Sequence, residues 1–139
     1  MSGDRSGWTV VNAPSLGEAI GPFCRAVVVD GIVHVSGTSA LSHLSGPIAT
    51  RFLPVSAEEQ AELTFENITK ALAPTGCTLS DVFRMLVIVK DAAYMSAVNA
   101  ARTRRVPGTP RYISTALVAN LLRPDMLVEV EVSALLAKS

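Results

Sequence analysis

Aromatic residues are scarce, making up 5% of the 139 residues. The core must therefore come from Val, Leu, Ala and Ile, in keeping with an apolar fraction of 49%. Net charge is missing too, because 12 basic and 12 acidic side chains cancel. A balanced surface offers no broad electrostatic footprint for nucleic acid, whose binding depends on neutralising phosphates, and no attraction to an anionic membrane. Two cysteines, Cys24 and Cys77, are too few for a disulfide framework and have no metal-like spacing. No apolar run approaches the roughly 18 residues that cross a bilayer. The opening Met1-Ser2-Gly3-Asp4-Arg5 lacks the apolar centre of a signal peptide. These absences lead us to expect a reducing, cytoplasmic location with neither membrane nor nucleic acid as partner. The length suits one domain over residues 1–139, able to bury roughly two thirds of its unfolded surface.

What the chain has in quantity is valine, concentrated around one turn. Arg25 to Val29 and Ile32 to Ser36 are separated only by Asp30-Gly31. Asp-Gly between β-branched runs predicts a hairpin, because a type I′ turn needs positive φ at both central residues. Ala26 and Val28 alternate with Val27 and Val29, which predicts burial of both faces near the turn. Ser36-Gly37 closes the second strand, and a glycine there marks a bulge or a close approach.

The rest reads as alternating strands and helices. Trp8 to Val11 is a short strand, and Asn12 to Pro22 a loop. His43 falls in the turn-rich tract 39–54 and reads as a solvated loop histidine. Ser56-Ala57-Glu58-Glu59 is a capping box opening a helix, with Ala61, Phe65, Ile68 and Leu72 on one face. Asn67 on that helix reads as a buried polar group with a structural bond. Pro74 and Gly76 end the helix. Met85 to Val89 is a continuous apolar run inside a strand from Asp81 to Lys90, as expected of a strand buried on both faces. Asp91 caps a second helix, Ala92 to Arg105, whose terminal arginines suit the negative end of the helix dipole. Arg111 to Ala119 and Leu127 to Ala134 are the last strands. In the latter, Val128, Val130 and Val132 oppose Glu129, Glu131 and Ser133. The pattern predicts an α+β layer with both helices on one face of the sheet. The other face would then expose an apolar patch that soluble chains rarely tolerate, so association through it is expected.

Ala13-Pro14, Gly21-Pro22-Phe23, Ser36-Gly37-Thr38, Asn67, Val98-Asn99, Arg111 and Pro124 to Glu131 occur in the order seen in the RidA/YjgF (Rid, L-PSP) family. The chain resembles that family over nearly its whole length. The resemblance implies a ferredoxin-like or chorismate-mutase-like (bacillus type) fold, with a mixed sheet and two helices packed on one face. It also implies a homotrimer with the sheets inside. The implied activity is cofactor-free hydrolysis of enamine and imine intermediates to 2-oxo acids and ammonia. The implied partner is a small carboxylate-bearing metabolite.

By the same resemblance, Arg111 grips the substrate carboxylate and Glu129 orients water. Phe23, Ser36, Gly37, Asn99 and Ile113 line the cleft. Phe23 stands where the family has tyrosine, and Thr38 where it has glutamine. Counting back from Val128-Glu129-Val130-Glu131 puts Ile113 at the family's arginine position. Arg111, two residues away, lies on the same strand face about 6.5–7 Å off. Alternatives are a metabolite-binding protein without turnover and a ribonuclease or translation inhibitor, the latter disfavoured by the charge balance. Cys24 and Ser36 have no base assigned beside them, and His34 reads as a core or interface residue.

Overall fold

The Asp30-Gly31 turn is the hinge of the sheet. Asp30 has φ 48° and Gly31 φ 83°, the two left-handed residues that a tight hairpin turn demands. They join β3 (Ala26–Val29) to β4 (Ile32–Thr38), in register from Val29 opposite Ile32 to Ala26 opposite Val35. A computed structural model supplies these coordinates and describes residues 2–5, 7–17, 19–42 and 46–137. His43 and the Leu44-Ser45 part of the expected turn lie outside them.

β2 (Trp8–Val11) pairs antiparallel with β3, and β1 (Ser2–Arg5) pairs with β2. β1 has no strand signal of its own, because Ser-Gly-Asp-Arg carries no β-branched or aromatic residue; pairing along the β2 edge sets its conformation. After β4 come α1 (Ala57–Leu72), β5 (Val82–Val89), α2 (Met95–Arg105), β6 (Ile113–Val118) and β7 (Val128–Leu135). The sheet order is β1-β2-β3-β4-β7-β5-β6. All pairings are antiparallel except β5 with β6.

Both helices lie on one face for a topological reason. The connections β4-α1-β5 and β5-α2-β6 each join parallel strands and step in the same direction across the sheet. Right-handed crossovers then put α1 and α2 on the same side. Phe65, Ile68 and Leu72 of α1 are fully buried there, against Val33, Val87, Val130 and Val132. The start of α1 is fixed by Ser56, whose Oγ accepts from the Glu59 amide at 3.2 Å. Only the serine half of the capping box forms among the described residues. Asp91 caps as expected, accepting from Ala93 N at 2.8 Å, but it opens a 3-10 turn (Ala92–Tyr94) before α2 begins.

Two expectations need correcting. The Met85 to Val89 run is not buried on both faces: Met85, Val87 and Val89 are buried, whereas Leu86 and Ile88 are half-buried. The same holds at the hairpin, where Ala26 and Val28 are buried but Val27 and Val29 are not. The reason is shared, since among the described residues no helix lies over the second face.

Candidate functional site

A pocket of about 110 Å³ opens beside the start of β7, at the end of β4. Glu129 enters it from β7, Gly37 from β4, and Phe23 from the loop before β3. Asn67 comes from α1, while Arg25 and Arg51 add two guanidinium groups. Gly37 is there for space. The register between β4 and β7 slips between Val35 and Thr38, so Gly37 sits in a bulge. A Cβ at that position would overlap Glu129 Oε1. A residue with a side chain would therefore displace the carboxyl group.

Glu129 is half-buried, and its pKa is raised above the ordinary 4.5, first by burial and then by the nearby charge of Glu131. Both effects disfavour the anion. Glu131 itself is engaged by Arg84, with Nη1 donating to Oε2 at 3.3 Å. Asn67 donates Nδ2 to the Ser39 carbonyl at 2.8 Å, the structural bond expected of it, and so ties α1 to the pocket rim. Gln60 is fully buried behind this region. Its Nε2 donates to Pro54 O and Asp125 O, and its Oε1 accepts from Leu127 N, each at 2.8 Å. These bonds fix the turn that carries Met126 into the pocket.

Of the residues singled out from the sequence, Glu129, Phe23 and Gly37 come together here. Ser36 neighbours Gly37, but its Oγ donates to Cys24 O at 2.7 Å, across the hairpin. Asn99 is exposed on α2, where its Oδ1 accepts from Arg102 Nη2 at 2.9 Å. Ile113 is 70% exposed at the start of β6. Arg111 lines a separate hollow of about 580 Å³ with Asp81, Phe83 and Leu135.

One chain does not bring Arg111 to Glu129. Ile113 lies level with Arg84, and Arg84 with Ser133, four residues along β7 from Glu129. That is roughly 13 Å along the strands and roughly 10 Å across two of them, and Arg111 lies further out still. Arg25 and Arg51, by contrast, are pocket residues that the sequence reading does not single out. For Arg25 a signal existed: two residues beyond Phe23 in extended chain returns to the same side. Arg51 sits in an aperiodic tract between Pro47 and Pro54 and gives none.

Residues 12–136 match the model of the Endoribonuclease L-PSP family. The chain belongs to this family. It is the RidA/YjgF family of the resemblance, and its members share the fold. An endoribonuclease L-PSP assignment from Entamoeba histolytica is 26% identical, with a TM-score of 0.79 over 93% of this chain and 99% of that one. The Rid-family protein YyfA of Yersinia pestis, at 23% identity, superposes with a TM-score of 0.81 over 92% of this chain and 98% of its own. The goat (Capra hircus) 2-iminobutanoate/2-iminopropanoate deaminase is 30% identical over 90 residues, 65% of this chain. That match spans 63% of the goat protein's length.

Proposed function

We propose that the chain hydrolyses small enamines and imines that carry a carboxylate, releasing a 2-oxo acid and ammonia. The observation that carries this reading is the half-buried Glu129 carboxyl group, held beside Gly37 and Phe23 in a pocket with its pKa raised. A carboxyl group whose pKa is raised by burial holds its proton more readily than a surface carboxylate and is suited to giving and taking one in a reaction. The named activity of the goat relative, an iminobutanoate and iminopropanoate deaminase, supports the choice of substrate class.

The chemistry asks little of the protein. An enamine takes a proton at its terminal carbon and becomes the iminium ion. Water then adds to the iminium carbon, Glu129 accepting a proton from it as the C–O bond forms and the neutral carbinolamine results. Glu129 returns that proton to the nitrogen, and ammonia leaves as the C–N bond breaks, the hydroxyl giving up its proton to water as the C=O bond forms. The sum is imine plus water giving 2-oxo acid plus ammonia, with no redox change and no call for a metal or organic cofactor. Positioning together with one acid/base group suffices, the latter adding ~10²–10⁴-fold.

The assembly we propose is a homotrimer whose open sheet faces meet at the centre. Leu86 and Ile88 on that face, and the exposed Ile113 and Leu117 of β6, supply apolar surface for it. Arg111, Asn99 and Ile113 enter the reaction scheme only from a second copy seated beside the Glu129 pocket. The family's ribonuclease description finds less support in the charges. Arg104 and Arg105 are tied to Glu62, Arg84 to Glu131 and Arg123 to Asp125, which leaves little of a cationic stripe for phosphates.

The test is ammonia release from 2-aminoacrylate generated in situ. Wild-type protein accelerates release above the spontaneous rate, and Glu129→Gln lowers that acceleration by ~10²-fold or more. A wild type that adds nothing to the spontaneous rate removes the hydrolase reading and leaves a metabolite-binding protein. Sedimentation of a stable monomer removes the trimer.

A further inference from the structure

We propose that Arg51, with Arg25 beside it, is the anion clamp of the Glu129 pocket, gripping the carboxylate of a small 2-oxo or 2-imino acid within a single chain. The inference rests on the reading of this pocket as the ligand site, and it reassigns the carboxylate contact from Arg111. Arg51 is only 7% exposed yet lines the pocket. It follows the 3-10 turn Ile48–Thr50, and its Nε donates to Gly46 O at 3.2 Å. Its own carbonyl accepts from Arg123 Nη1 at 2.6 Å, and Arg123 also donates to Ile48 O at 2.8 Å. The backbone that carries Arg51 is thus anchored on both sides.

Its charge is not met in the same way. Among the described residues the ion pairs engage Lys70, Arg84, Arg104, Arg105 and Arg123, and Arg51 belongs to none of them. Nor do its two terminal nitrogens donate to any described residue. A guanidinium group does not shed its proton in the accessible pH range, so a buried one calls for an anion or for full hydrogen bonding. Arg25 brings a second positive charge to the same pocket. Its Nη2 donates to Leu16 O at 2.9 Å, and its pKa is lowered, first by burial and then by the positive charge of Arg51. Two like charges that act on each other across one pocket are both relieved by an anion between them.

Glu129 does not fill that role. The charge acting on it is that of Glu131, and burial drives it towards the neutral acid. A carboxylate supplied by the ligand does fill it, because its two oxygens match the planar fork of an arginine. The pocket's volume of about 110 Å³ and its walls of Leu16, Ile20, Leu122 and Met126 suit a short apolar tail on that carboxylate. Held this way, the carbon next to the carboxylate faces the same small space as Glu129.

Pyruvate, an unreactive stand-in for such a substrate, tests the assignment by calorimetry or chemical-shift titration of the full chain. Arg51→Ala is expected to weaken binding at least tenfold, Arg51→Lys to recover part of the loss, and Arg25→Gln to weaken it severalfold. Thermal melts establish which variants fold. If Arg51→Ala does not fold, Arg51→Lys and Arg25→Gln decide, and wild-type affinity in both overturns the clamp. A larger loss with Arg111→Ala than with the Arg51 variants also overturns it, as does inorganic phosphate binding more tightly than pyruvate. The two proposals fail separately. Arg51-dependent pyruvate binding without ammonia release keeps the clamp and removes the hydrolase; ammonia release with Arg51-independent binding does the reverse.

Discussion

From Val128 to Val132 the environment along β7 changes with every residue. Val128, Val130, Val132 and Ala134 are fully buried under α1 and α2, while Glu129 and Glu131 stand half-buried between them on the face that no helix covers. The first set packs in a core of apolar side chains. The second carries two carboxyl groups, and cross-strand neighbours Leu86 and Ile88 sit level with Glu131 and Glu129. The difference shows a division of labour within one strand. Burial on the helix side supplies stability and rigidity, and that rigidity holds a carboxyl group at a place where holding it costs free energy.

The sharpest way to break this comparison is to damage the helix side. Phe65 is fully buried beneath the sheet, and Phe65→Ala is expected to cost about 3–5 kcal/mol. Urea denaturation would measure the loss. Leu86→Ala on the open face should cost clearly less in the isolated chain. Equal losses would mean that the two faces share the burden of stability.

Next in size is a change at the junction of the two functions. Gly37→Ala drives a methyl group into the space of Glu129 Oε1. Crowding of this kind costs about 1–3 kcal/mol where the neighbour cannot move. Glu129 sits on a flexible stem, so the carboxyl group should turn away, placing the stability loss near the low end. Ammonia release should fall more steeply than stability. An intact rate would show that the reaction tolerates a displaced Glu129.

Much of this arrangement was legible in the residues. Asp30-Gly31 announced the hairpin, Phe65, Ile68 and Leu72 the buried side of α1, and the Val-Glu alternation the two faces of β7. Three things were not. The run Met85 to Val89 reads alike whether one face or two are covered, because an uninterrupted apolar run has no period to separate them. Ser2 to Arg5 has no strand signal of its own. The separation of Arg111 from Glu129 depends on β6 running parallel to β5, which sends the start of β6 to the far end of the sheet. Strand spacing along a sequence does not encode that order. Asn67 was recognised as a structural bond, yet its place on the pocket rim depends on Ser39, 28 residues away.

A smaller effect appears as a slope against pH. Glu129 has its pKa raised above the ordinary 4.5, by burial first and by Glu131 second. The folded chain therefore keeps this proton over a window in which the unfolded chain has lost it. Stability falls as pH rises from the unfolded value through the folded one, and the penalty is complete above that. Glu129→Gln has no such slope, so the variant should gain on the wild type between acid and neutral pH. Urea midpoints at a series of pH values would show it. Parallel curves would mean that the carboxyl group is solvated as well as any on the surface.

The smallest effect on stability should come from Glu131, and it sharpens the contrast most. Its pair with Arg84, Nη1 to Oε2 at 3.3 Å, leaves both side chains over 40% exposed, and pairs of that kind contribute about 0.2–1 kcal/mol. Glu131→Gln should thus leave the melting temperature almost unchanged. Its effect at Glu129 should be larger than its effect on the fold. With the neighbouring negative charge gone, the Glu129 pKa moves down towards its ordinary value, and burial alone remains to hold it up. Carboxyl-carbon titration by NMR would follow Glu129 directly, with ammonia release read across the same pH range. A melting temperature that drops by many degrees would place Glu131 with the structural side of β7. A Glu129 titration that stays put would leave burial as the sole cause of its raised pKa.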